Sequence, residues 1–92
     1  MDRRRFTPSP SVRASISADG LVLLDARGGL VLSSNAIGAC IWSLVAEGRT
    51  TQEIAERIAA EYAVAHERAA RDVDAFVRDL EAHGLVRTED AS

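Results

Sequence analysis

The sequence predicts an α+β fold: a three-stranded antiparallel meander followed by three helices, in a winged helix-turn-helix-like arrangement. Three observations carry this expectation. Between residues 12 and 32 the apolar residues alternate or run in short groups, broken at Asp19-Gly20 and Gly28-Gly29. From residue 36 onward they recur instead at spacings of three and four. Between the two regimes lies Gly29 to Gly48, GLVLSSNAIGACIWSLVAEG, where a strand turns directly into an apolar helix and ties sheet to helices.

Residues 1–11 hold three arginines, two prolines and little to bury, and read as a flexible N-terminal arm. Val12, Ala14 and Ile16 then alternate with Arg13, Ser15 and Ser17, the pattern of a strand with one wet face. Asp19-Gly20 is a two-residue hairpin signal, and Leu21 to Leu24 is the return strand. DARGG, residues 25–29, makes a second turn before the third strand, Leu30 to Leu32. Two short turns joining three strands imply antiparallel pairing.

Ser33-Ser34-Asn35 supplies capping side chains, and Ile37, Ile41, Leu44 and Val45 give the first helix its apolar pattern, with Cys40 among them. Trp42 in this helix is expected in the core. Gly48 stands where a helix end wants a positive φ. Thr50 and Glu53 have capping-box spacing, opening a second helix with the stripe Ile54, Ala55, Ile58, Ala59 and Tyr62. After a link at Ala63 to Ala65, a third helix runs from about His66 to about His83 on Ala69, Val73, Phe76, Val77 and Leu80. Gly84 ends it, and Leu85-Val86 can fold back on the bundle. One domain, 12–87, is expected, with 88–92 a solvated tail.

Apolar residues at 47% and charged residues at 27% fit an ordinary globular protein, and the net charge of −3 argues against general affinity for phosphate backbones. No apolar run reaches the ~20 residues of a membrane span, and no apolar segment follows the basic amino terminus, so a cytoplasmic protein without membrane contact is expected. The single cysteine reads as a small core hydrophobe. His66 and His83 stand at opposite ends of one helix, without metal-ligand spacing. The carboxylates of the last helix alternate with arginines, with Arg68–Asp72 and Asp74–Arg78 at i,i+4, as on a solvated, ion-paired face. No nucleophile stands with a base, and no phosphate loop is present. A non-enzyme without cofactor or metal is expected. The helix-turn-helix order raises DNA binding, but the third helix is mixed and slightly acidic where a recognition helix brings bases and amides.

The third strand carries the functional expectation. Leu30-Val31-Leu32-Ser33 is uncharged, whereas free strand edges are ordinarily blunted with charge or proline because they pair with other chains. Either the arm or a dimer partner covers this edge, or it docks an extended peptide by β-augmentation, with the third helix as the other wall of a groove.

The chain resembles the PqqD-like proteins, the peptide chaperones of coenzyme PQQ biosynthesis and, more widely, the RiPP recognition elements. The resemblance runs from about Val12 to Val86. It rests on LVLLDARGG, on LSSNAIGACIW with Asn35 and Trp42, on EGRTTQEIAERIAAEY with Gly48 and Thr50, and on DVDAFVRDLEAHGLV with Asp72-Val73 and Gly84-Leu85. It implies a non-catalytic protein that binds the leader of a ribosomally made precursor peptide as an added strand. The expected peptide contacts are Leu30, Val31, Leu32 and Ser33 on the strand, and Asp72, Val73, Phe76, Asp79 and Leu80 on the last helix. The implied partner is a modifying enzyme: a leader peptidase and macrolactam synthetase of lasso-peptide type, or alternatively a radical SAM enzyme. A winged-helix DNA-binding regulator is the further alternative.

Overall fold

The structure, a computed structural model, describes residues 4–27 and 29–89. The elements are β1 (Arg5–Pro8), β2 (Val12–Ser17), β3 (Gly20–Asp25), β4 (Leu30–Asn35), α1 (Ala36–Ala46), α2 (Thr51–Tyr62), α3 (His66–Ala82) and β5 (Val86–Glu89). The expected meander is present as an antiparallel sheet in the order β2-β3-β4, followed by the three expected helices.

Each joint has a local cause. Ala18-Asp19 closes the first hairpin, with Ser17 opposite Gly20. At the second turn Asp25 is buried, and its Oδ1 accepts from Ser11 Oγ at 2.8 Å and from the Arg27 N–H at 3.0 Å, an Asx-type closure. Gly28 of the expected turn lies outside the described residues. β4 runs on to Asn35, three residues beyond the expected Leu32, because the backbone stays extended until Asn35 caps α1 by accepting from Gly38 N–H at 3.0 Å. The Thr50–Glu53 capping box opens α2. α2 ends at Ala63, a non-glycine in the left-handed region (φ 53°), so the helix stops there without Gly or Pro.

The termini differ from the sequence expectation. Residues 5–8 of the supposed arm and residues 86–89 pair antiparallel, Phe6 against Thr88 and Pro8 against Val86. The physical reason is burial: Phe6 is 3% exposed and Val86 3% exposed, so both contribute to the core. Arg4 strengthens the attachment, donating from Nη2 to Asp74 Oδ1 of α3 at 2.8 Å, while its carbonyl accepts from Thr51 N–H at 3.0 Å. Residues 1–3 of the arm and 90–92 of the tail lie outside the described residues.

α1 is the hub, packed against β1, β3, β4 and α2, while α3 packs on α2 and β5. Its Ile41, Trp42, Leu44 and Val45 join Leu21 and Leu23 of β3, Ile54 and Ile58 of α2, and Val73, Val77 and Leu80 of α3 in one core. Burying a large apolar side chain contributes ~1.5–3 kcal/mol each, so this cluster supplies most of the driving force.

Candidate functional site

The site is built where β4, α1 and α3 meet. Among the described residues β4 pairs with β3 alone, leaving its other edge open. The sheet register says which backbone groups face that edge. A two-residue turn requires Ser17 and Gly20 to be a hydrogen-bonded pair, so Gly20, Val22 and Leu24 direct their backbone groups to β2. Leu21, Leu23 and Asp25 therefore direct theirs to β4, where they meet Ser34, Leu32 and Leu30. Val31 and Ser33 are left with N–H and C=O groups turned to the open edge. The side chains of Leu30 and Val31 lie outside what the structure describes.

Beside the end of this edge is a cleft of about 220 Å³, lined by Ser34, Asn35, Ile37, Gly38, Ile41, Asp72 and Phe76. Ile37, Gly38 and Ile41 form its floor on α1, and Asp72 and Phe76 its wall on α3. Apolar surface at the floor and a carboxylate and hydroxyl at the rim suit an amphipathic peptide side chain.

The expected contact residues divide by position. Leu32 is half-buried against the core, and Ser33 is exposed on the edge strand. Asp72 and Phe76 stand at the cleft. Asp79 is exposed on α3 but does not line the cleft. Val73 and Leu80 are 1% and 0% exposed. They form the inner stripe of α3, and their side chains are unavailable to a peptide in this conformation. Ser34, Asn35, Ile37, Gly38 and Ile41 line the cleft outside the expected contacts: the sequence presents Ser34 and Asn35 as capping residues, Ile37 and Ile41 as helix pattern, and Gly38 with no assigned role. The available signal was Gly38, a glycine near the start of a helix, where such a residue marks close packing.

Little else offers chemistry. Among the described residues, no group of three or more His, Cys, Asp or Glu lies together as a metal would need. His83 Nδ1 hydrogen-bonds the Asp79 carbonyl at 2.8 Å, a helix-capping contact. Burial pushes the Cys40 thiol up from its ordinary pKa, and Glu61, whose Oε2 is 3.8 Å from Sγ, adds to this, opposing thiolate formation. No helix among the described residues is long and apolar enough to cross a membrane.

Residues 20–86 match the family described as coenzyme PQQ synthesis protein D (PqqD). The chain belongs to the PqqD family. Two solved structures superpose on it closely. The first is titled TbiB1 in complex with the TbiA(beta) leader peptide: it is 34% identical, covers 88% of this chain and 94% of its own, and has a TM-score of 0.81. The second, lasso peptide synthetase B1 complexed with the leader peptide, is 29% identical over 90% of this chain and 98% of its own, again with a TM-score of 0.81. No curated protein sequence matches the chain. Both neighbours are described in complex with a leader peptide. In this PqqD-family chain the cleft lies between α3 and the end of the open strand.

Proposed function

We propose that this PqqD-family protein binds the leader of a ribosomally made precursor peptide, adding it as a strand to the open edge of β4 beside α3. The observation that carries the reading is the free backbone of Val31 and Ser33 running toward the cleft at Asp72 and Phe76. An extended peptide there gains backbone hydrogen bonds from the edge, while alternate side chains turn toward the cleft or away. The protein then presents the bound precursor to an enzyme that modifies it. Likeness to the two B1 proteins supports a leader peptidase and macrolactam synthetase of lasso type as that partner. The PqqD-family match keeps a radical SAM enzyme as the second reading, decided by which enzyme is encoded beside the chain and its precursor.

DNA binding is the competing use of such a fold. α3 holds Arg68 and Arg78 beside Asp72 and Asp74, at 4.0 and 3.0 Å, so two of its three arginines stand against carboxylates of the same helix. A titration separates the two. Synthetic leader, either the TbiA(beta) sequence or that of the neighbouring precursor, should bind saturably with an affinity that changes little between low and physiological salt. Random duplex DNA should not bind at micromolar concentration. Micromolar DNA binding that falls steeply with salt, with no leader binding, overturns the reading.

A further inference from the structure

The sheet has a second open edge, along β2, and we propose that it pairs with β2 of another copy of this chain about a two-fold axis. The sheet register assigns the backbone groups of Arg13, Ser15 and Ser17 to β3 and turns those of Val12, Ala14 and Ile16 outward. Among the described residues β2 has no other strand partner. Ile16 is 52% exposed on this edge, and Ala14 beside it is exposed too. An uncharged pair of outward residues with a large apolar side chain is an edge left open to another strand.

One hydrogen bond selects the register. The Val12 N–H already donates to the Ser9 carbonyl at 3.0 Å. A symmetric pair centred on Ala14 would need that N–H, and one centred on Ile16 would need Ala18, which lies in the turn. Centring on Ser15 avoids both. Ala14 then lies opposite the partner's Ile16, and the two exchange both backbone bonds. Ala14 and Ile16 thus both donate and accept on each chain, which satisfies every outward group between residues 14 and 16.

The side chains agree with this register. Ile16 gains an apolar neighbour in the partner's Ala14. Ser15 meets the partner's Ser15 on the axis. Arg13, the one charged side chain of β2, faces the partner's Ser17 and no like charge. A contact of one strand per chain is smaller than the ~1,200 Å² of stable interfaces, so the dimer is reversible and concentration-dependent. The pairing does not depend on the leader-binding reading. Its consequence does: a six-stranded sheet would carry one β4 docking edge at each end.

Sedimentation of the full chain from micromolar to millimolar concentration tests this. The wild type should shift from monomer to dimer mass. Ala14→Pro removes an outward donor that β3 does not use, and Ile16→Arg places charge in the seam, so both should stay monomeric. Val31→Pro, on the other edge, should dimerise as the wild type does. Should Ala14→Pro melt early, Ile16→Arg alone decides. A wild type that is monomeric at millimolar concentration overturns the proposal, as do variants that still dimerise or a dimer lost with Val31→Pro. If the wild type is monomeric and Ile16→Arg instead impairs delivery of precursor to the modifying enzyme, that enzyme occupies the edge and the second copy does not.

Discussion

Gly38 lies so close to Ser34 that a Cβ built on it would sit 2.1 Å from Ser34 Oγ and 2.6 Å from Ser34 Cβ. The same added carbon would be 3.3 Å from Cε1 of Phe76. The missing side chain at 38 is therefore what lets the end of β4, the start of α1 and the middle of α3 converge around one cleft.

Gly38→Ala tests that convergence. In an unhindered helix the change would stabilise by ~0.5–1 kcal/mol. Here the Ser34 hydroxyl can rotate away, but Ser34 Cβ cannot retreat without moving β4. Overpacking of this kind costs ~1–3 kcal/mol, so Gly38→Ala should melt below wild type and bind leader more weakly. A variant that melts above wild type with unchanged binding would show that the junction yields freely.

Trp42 is 5% exposed and sits in the core with Leu21, Ile54 and Val77, away from the cleft. Trp42→Ala should cost ~3–5 kcal/mol by thermal or denaturant unfolding, through lost transfer energy and the cavity left behind. Unchanged stability together with lost leader binding would mean that α1 presents its other face to the sheet.

These two positions also mark how far the sequence could be read. Trp42 was legible as core because it is a large aromatic within a helix that is apolar nearly all round. The strand order, the Asn35 cap and the Thr50–Glu53 box were legible too, since each is a local pattern with a local cause. β1 and β5 were not: Phe6 is an isolated apolar residue in a polar terminus, Leu85-Val86 was legible as folding back on the bundle but not as a strand, and the pairing of the two ends spans nearly the whole chain. Val73 and Leu80 were read both as core stripe and as peptide wall, because periodicity shows which residues share a face and not which face is turned to which neighbour. The cleft itself depends on Gly38 and Phe76 meeting, a contact between helices that no spacing within either helix reveals.

The capping box of α2 gives a pH dependence. The Thr50 N–H donates to Glu53 Oε1 at 2.9 Å, and this backbone bond, with the Thr50 hydroxyl at 3.3 Å and nearby Arg49, holds the Glu53 carboxyl below its ordinary pKa. A lowered folded-state pKa stabilises above the unfolded value, and that stabilisation is lost as pH falls through the folded one. Thermal melts of wild type and Glu53→Gln should therefore differ near neutrality and converge in acid. A gap that stays constant with pH would mean that the Glu53 charge contributes nothing to the cap.

The most direct measurement is a pair of proline variants on β4, each followed by melting and by titration with leader. The register turns the Val31 N–H to the open edge and the Leu32 N–H to β3. Proline removes a donor, so Val31→Pro should leave melting near wild type yet weaken leader binding by ~1–2 kcal/mol, roughly tenfold, through one lost bond and an unpaired peptide carbonyl. Leu32→Pro should instead break a β3–β4 bond and lower the melting temperature. If both variants melt and bind as the wild type does, the leader does not add as a strand to β4.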